Sequence, residues 1–539
     1  MKSAITIIVA VYLVVGLCCL LEQRTAEALS SIANDVGGFG RRAKRLLFPR
    51  PTFGKKSKIW HPPNNNKDDV DDGIINDSSN TNNEGIISHN PYNHAIEYMP
   101  DISPATGLQN LIYEWSKYQL QIRYQVTGPT NGIPVILVHG LFVNSDHWRK
   151  TFQSFSSKED NTMYRIYALD MLGMGYSSKP PINSIVSQAI NGETKRRRRS
   201  DDSNMIMKNV ELTTSCGTKR RIRDVDLRHP LNSPYNFYTW SDVLTDFAKN
   251  VVLRDQDQDQ SSSSQHNNKK KTKKKIALVS NSKGTVTCLQ AVLDDVNNEL
   301  FSGVFGISPN FRELHPAEME IPQITYPILK NIQSILRQPS IGHQLYSQIL
   351  KDPNTIKNIL VSEPYQIKDA VDDTLVQVLR DPLVHTPYSA SVVMDTLSYS
   401  GGPLIEQQLT SLMMRTTTKD SPQIDDDNKR RRQQQLPPIW FLYGKDDPWT
   451  PSGRMEALIE RPPVHKVIGL DGVGHCPHDE APDLVHPLLL DFLQQTTTTN
   501  EEEEEEEQQQ QQRSITPRSP PPTTTATSTL VEEKECVQI

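Results

Sequence analysis

Three residue types that together perform acyl transfer follow one another along the chain. Ser282 lies in "KKKIALVSNSKGTVTCLQ", Asp447 in "WFLYGKDDPWTP" and His475 in "VIGLDGVGHCPHDEAPDLV". A neutral serine hydroxyl is a weak nucleophile and needs a histidine within hydrogen-bond reach to take its proton. The histidine needs a carboxylate to fix its tautomer and to stabilise the imidazolium that forms. Attack on an ester carbonyl creates an oxyanion, which calls for backbone N–H donors, each typically contributing about 3 kcal/mol to lowering the barrier. Lys283, the residue after the serine, offers one. The loop "HGLFVNSDHW" offers the other at Leu141, which leaves His139 a structural part rather than that of a second base. Neighbours compete for two of the roles. Asp447 is preferred to Asp446 because it immediately precedes Pro448, and His475 to His478 because Gly474 suits a tight loop. This chemistry requires no metal and no cofactor.

Such residues work only if strands deliver them to one place. "IPVILVHG", "MYRIYALDMLGMGYSS", "IALVSNSKG" and "PPIWFLYG" are short apolar runs ending in turn residues, and helical-length segments such as Tyr238–Val252 alternate with them. Fully apolar strands alternating with helices predict a buried, mostly parallel sheet in an α/β fold. "YEWSKYQLQIRYQVTG" alternates apolar and polar residues and predicts a strand or hairpin. Ligands of open α/β sheets bind at the carboxyl ends of the strands, and Ser282, Asp447 and His475 each follow a strand. The order Ser, Asp, His is that of serine hydrolases of the α/β class. Two departures stand out, the second being Lys283, which replaces the apolar residue common after the nucleophile and bears on substrate specificity. The usual strand–turn–helix elbow is Gly-x-Ser-x-Gly, and here Ser280 occupies the first glycine position. Serine is among the smallest replacements, and Ser282 rather than Ser280 is the nucleophile candidate because Gly284 follows it by two.

The 539-residue chain is only 36% hydrophobic, and the deficit is concentrated in a few segments. Its net charge of -6 gives no basic signature for nucleic acid. The six cysteines show no CxxC pair or metal-like spacing, so neither a disulfide framework nor a zinc site is indicated. Lys2 and the apolar run from Ala4 to Leu21, with "TAEA" after it, form a signal peptide or a retained anchor over residues 1–28. Residues 29–104 begin basic and Ser-containing, like a transit peptide, and continue as an Asn/Asp-rich linker. A signal followed by a transit-like segment resembles the bipartite address of algal plastid proteins; the competing reading is a secreted, ER or membrane-anchored protein. Within the domain expected at 105–495, residues 181–233, 256–275 and 416–435 carry runs such as "KRRRRSDD" and "KKKTKKK" and read as disordered surface insertions. Their charge also allows peripheral contact with an anionic membrane surface. The tail 496–539 is low in complexity.

"VHGLFVNSDHWRK", "ALDMLGMGYSSKP", "YNFYTW", "YSGGPL" and "GHCPHDEAPDLV" together resemble the plant, algal and cyanobacterial α/β-hydrolases that include pheophytinase and chlorophyll dephytylase. The likeness runs from about Tyr113 to Leu493, minus the insertions. It implies an α/β-hydrolase fold with a helical cap over about 310–399, where "YPILKNIQSILRQ" and "AVDDTLVQVLRDP" have helical apolar spacing. It implies Ser282 as nucleophile, Asp447 as acid, His475 as base, and Leu141 and Lys283 as oxyanion amides. It also implies a small-molecule ester substrate with a large apolar part, such as a phytyl ester. A carboxylate nucleophile, which dehalogenase or epoxide-hydrolase chemistry needs, is absent at position 282. Another lipid ester, or a pocket that binds without catalysis, are the competing readings.

Overall fold

The computed structural model describes residues 91–157, 163–202, 209–213, 219–223, 233–256, 274–310, 331, 334–397, 403–417 and 436–497. Eight strands form one sheet in the order β1-β2-β4-β3-β7-β8-β9-β10. They are β1 (Leu111–Trp115), β2 (Leu120–Thr127), β3 (Ile133–Val138), β4 (Tyr164–Leu169), β7 (Ile276–Asn281), β8 (Phe301–Ile307), β9 (Ile439–Gly444) and β10 (Val464–Leu470). β1 pairs antiparallel with β2, and β2 antiparallel with β4; every other pairing is parallel. This is the α/β-hydrolase fold.

The central strands are apolar on both faces because both faces are covered. Ile136, Val138 and Leu278 belong to one core cluster, whereas Val135, Leu137, Ala277 and Val279 belong to the other. The first face is covered by α3 (Phe237–Phe247) and α4 (Lys283–Asp294), which contribute Val243, Leu244, Val286 and Leu289. The second is covered by α1 (Arg149–Ser157) and by α10, residues 482–497, through Phe152, Val485, Leu489 and Phe492. Alternation with period two therefore sorts one strand between two cores. The cap follows β8. Its described part holds α5 (Gln344–Leu350), α6 (Pro353–Ser362), α7 (Asp373–His385) and α8 (Ser389–Leu397), after which α9 (Ile405–Thr417) returns to pack on α4.

Two boundaries differ from the sequence reading. Residues 91–104, assigned there to the linker, lie against the domain: Ala95 and Ser103 are buried, and Ser103 Oγ donates to Asp146 Oδ1 at 2.6 Å. The insertion 181–233 is not wholly irregular. It contains α2 (Ile185–Asp202) and the hairpin of β5 (Asn209–Thr213) and β6 (Lys219–Arg223). Ile182, Val186 and Ile190 recur every four residues and pack on the main core, which fixes the first part of this segment. The arginine run that follows hid that signal. The N-terminal address, residues 257–273 and 418–435, the start of the cap at 311–330, and the tail from 498 lie outside the described residues.

Candidate active site

β7 ends at Asn281, and Ser282 turns the chain into α4 with φ 55° and ψ -121°. A non-glycine residue in this region carries strain of order 1–3 kcal/mol, and such strain gathers at functional sites. The turn is held from several sides. Ser282 N–H donates to Ile307 O at 2.9 Å, and Ser282 O accepts from Thr285 N–H at 3.1 Å. The Ser282 side chain makes no helix-capping hydrogen bond, although the residue is the N-cap of α4. Gly284 is required by contact: a Cβ there would lie 2.5 Å from Val138 O and 2.8 Å from His139 O. Ser280, where a glycine was expected, is fully buried opposite Gly306 of β8, and its hydroxyl donates to Thr285 Oγ1 at 3.1 Å. The extra side chain is accommodated because it is small and because its hydroxyl has a partner one helical turn away.

Asp447 and His475 come from the loops after β9 and β10. His475 Nδ1–H donates to Asp447 Oδ2 at 2.7 Å, and Asp447 Oδ1 accepts from Trp449 N–H at 2.8 Å. Both side chains are buried, whereas Asp446 is exposed, so the two adjacent aspartates have different environments. Burial pushes the Asp447 carboxyl upward. The facing imidazole, its hydrogen bond, and those from Thr450 and Trp449 together hold it below the ordinary carboxylate range. Because the carboxylate only accepts, the neutral imidazole carries its proton on Nδ1 and leaves Nε2 as the basic atom. Trp449 packs edge-on against the ring with centroids 4.8 Å apart.

His478 is buried in a different place. It packs against Trp148 and His147, with ring centroids 4.3 and 4.6 Å away, and neither of its ring nitrogens has a hydrogen-bond partner. Burial pushes its pKa well below that of a free histidine. His147 Nε2 meets the Tyr365 hydroxyl at 2.9 Å, and that hydroxyl donates to Asp479 Oδ2 at 3.1 Å. The tyrosine proton is thus committed to Asp479, so His147 donates through Nε2.

The loop after β3 meets the elbow at Gly140, where a Cβ would lie 3.0 Å from Asn281 Oδ1 and 3.1 Å from Ser282 Cβ. Leu141 follows directly, and Phe142 adopts φ 60°. Lys283 begins α4. His139 bridges two loops: Met171 N–H donates to Nε2 at 3.0 Å, so Nδ1 bears the proton and donates to Gly140 O at 2.7 Å. Burial pushes its pKa below that of a free histidine, although the Asp170 carboxylate and the hydrogen bond to Gly140 O pull the other way. Beneath this loop is a charge cluster that sequence reasoning missed. Arg123 of β2, fully buried, meets Asp146 at 2.7 Å and Asp170 at 3.3 Å, and Asn110 Oδ1 accepts from it at 2.7 Å. Asp170 also accepts from Ser145 N–H, Ser145 Oγ and Tyr176 N–H at 2.7–2.8 Å.

Other site neighbours were also unread. The cap supplies Pro364, whose carbonyl accepts from His475 N–H at 2.7 Å. Glu480 accepts from the N–H groups of Gly474 and Gln366, and burial pushes its carboxyl up. Arg149 joins Asp372 of the cap at 2.6 Å to Asp479 at 2.9 Å. A small cavity beside the loop after β3 is walled by Phe142 and Val143, by Leu379 and Pro382 of α7, and by Lys179. Burial lowers the Lys179 ammonium to about 7, and its hydrogen bonds go to the carbonyls of Gly175 and Ser177. Among the described residues no cluster of three metal-ligating side chains occurs.

A mostly parallel sheet with a strained strand-to-helix serine and a buried Asp–His pair at its carboxyl edge defines an α/β-hydrolase-type architecture. The model of the alpha/beta hydrolase family matches residues 135–488, well over half of the chain, and the protein belongs to that family. No curated protein matches it. Among solved structures it is similar to a putative lipase from Acinetobacter baumannii, at 14% identity over 78% of this chain and 100% of that one, with a TM-score of 0.41. It is also similar to an esterase from Thermogutta terrifontis, at 13% identity over 72% and 99%, TM-score 0.41. Epoxide hydrolase I from potato gives 13% identity over 72% and 100%, TM-score 0.43.

Proposed function

We propose that the protein is a serine esterase in which Ser282 attacks, His475 moves the proton and Asp447 orients and stabilises the imidazolium. One observation carries the reading: the buried Nδ1–H···Oδ2 contact of 2.7 Å between His475 and Asp447 joins the same sheet edge as a serine held at φ 55°. In the first half-reaction Ser282 Oγ bonds to the ester carbonyl carbon, its proton passes to His475 Nε2, and the alcohol leaves with that proton. The N–H groups of Leu141 and Lys283 take the oxyanion. Water deprotonated by His475 then releases the acid and restores the serine.

The substrate we propose is an ester with a large apolar part, and among these the phytyl ester of a chlorophyll-type pigment. Its support is the resemblance of "YSGGPL" and "GHCPHDEAP" to the pheophytinase group, together with a helical cap over the sheet edge. The N-terminal address leads us to propose a plastid location.

A fluorophosphonate probe tests the chemistry: labelling of the wild type and loss of labelling in Ser282→Ala is expected, and folded wild type that stays unlabelled sinks it. Incubation with chlorophyll and with pheophytin tests the substrate, phytol release from neither being the adverse result. For location, a fluorescent fusion of the first hundred or so residues should reach the plastid; retention in the ER refutes the address.

A further inference from the structure

Ser282, His475 and the oxyanion loop arrive from three separate parts of the chain, and something must fix their mutual distances. Asn281 touches all three. Its carboxamide is buried, with the residue 2% exposed. Nδ2 donates to His475 O at 3.2 Å and to Ile307 O at 3.3 Å. On the other side, Oδ1 lies 3.0 Å from where a Cβ on Gly140 would be, so the oxyanion loop closes on this amide at its glycine. The backbone of His475 is otherwise gripped at its N–H by Pro364 of the cap, and the Asn281 amide is the partner of its carbonyl.

We infer that Asn281 is a positioning residue that sets the separation of nucleophile, base and oxyanion loop through its side-chain amide. This rests on the serine-esterase reading above. The geometry explains why the residue before the serine cannot be a mere spacer. Both Nδ2 hydrogens are spent on carbonyls, and those carbonyls belong to β8 and to the histidine loop, which make no covalent connection near the site. β8 also receives Ser282 N–H at the same Ile307 carbonyl, so Asn281 and Ser282 share one anchor. A shift of the His475 loop relative to Ser282 requires breaking the amide contact. An aspartate in place of Asn281 has the same shape, yet it would face two carbonyl oxygens with acceptors only.

The test measures Asn281→Ala, Asn281→Asp and Asn281→Gln beside the wild type, with a p-nitrophenyl ester and with a fluorophosphonate probe. Misplacement of reacting groups by about an ångström costs on the order of 10- to 100-fold in rate, so Asn281→Ala should lose that much in kcat and in labelling rate, with KM within about twofold. Asn281→Asp, the isosteric variant that keeps the packing, should lose at least as much. Asn281→Gln retains the amide and should recover part of the loss. A purely structural role would lower the melting temperature without separating kcat from KM, and that pattern overturns the inference. Asn281→Asp reacting within twofold of a reactive wild type also overturns it while leaving the esterase reading intact. A folded wild type that does not react with the probe overturns both.

Discussion

The two loops that flank Ser282 are anchored in opposite ways. The oxyanion side, from His139 to Asp146, is tied into the body of the domain: Arg123 of β2, Asp146 and Asp170 form a fully buried ion cluster, and His139 links the loop to Met171. Asn144 Nδ2 donates to Val378 O of the cap, and Val143 packs against the cap's apolar cluster. The base side, from Val473 to Glu480, leans on the cap at several points. Pro364 O accepts from His475 N–H, Glu480 accepts from Gln366 N–H, and the Tyr365 hydroxyl donates to Asp479. The cap can therefore act on one side of Ser282 more than on the other. A cap movement would disturb the histidine before it disturbed the proposed oxyanion amides, because the charges under the loop after β3 have no cap partner among the described contacts.

The base side is the more sensitive of the two. Asp447→Asn leaves the shape of the pair but permits the wrong imidazole tautomer, and turnover should fall by about 10⁴-fold; single-turnover kinetics on a p-nitrophenyl ester check it. On the oxyanion side the loss should be one of stability. Arg123→Met leaves Asp146 and Asp170 buried without their cation, which costs about 3–5 kcal/mol in denaturant unfolding. Loss of turnover at unchanged stability would show that the buried charges act on the chemistry and not on the fold.

The pH response should come from the buried histidines. His147, lowered to about 4 by burial, is neutral in the folded protein over a range where the unfolded chain binds a proton. Stability should therefore fall as pH drops from about 6.5 to about 4, by up to about 3 kcal/mol for this residue, whose own contribution then levels off while the depressed carboxyls such as Asp447 continue the fall at lower pH. His139 and His478, both lowered, act with the same sign. Unfolding at a series of pH values measures the slope, and His147→Phe should flatten it.

Smaller effects sharpen the contrast further. Tyr365→Phe removes the hydroxyl between His147 and Asp479 and should cost about 1–2 kcal/mol, with slower labelling of Ser282 because it loosens the base loop. Ser280→Gly restores the usual elbow and loses one hydrogen bond, so stability should change by no more than about 1 kcal/mol and turnover should be nearly unaffected. A large loss there would show that the serine hydroxyl matters to the elbow.

Much of the frame was legible because local pattern and global fold agree along it. The apolar runs at Ile133–Val138, Ile276–Asn281 and Ile439–Gly444 are strands where the pattern placed them. β8 went unread because "FSGVFGI" contains two glycines, poor strand residues by propensity; packing explains Gly306, where a Cβ would lie 2.8 Å from Thr285 Cγ2. Charge patterning misled in residues 181–233, where an arginine run masked the Ile182–Val186–Ile190 stripe. The reverse held at residues 91–104, whose polar composition suggested a linker although Ser103 is needed by the buried Asp146.

Residue order alone carries the α/β class, the succession of Ser282, Asp447 and His475, and the glycine that the turn needs at 284. These depend on residue type and on spacing within a single element. Tertiary structure alone decided that Asp447 rather than Asp446 is buried, that His478 packs among aromatics away from Asp447, and that Asn281 reaches the carbonyl of His475. It also decided that Arg123 lies under the oxyanion loop. Each of these depends on which distant segments share a low-dielectric interior, and spacing along the chain carries no record of that.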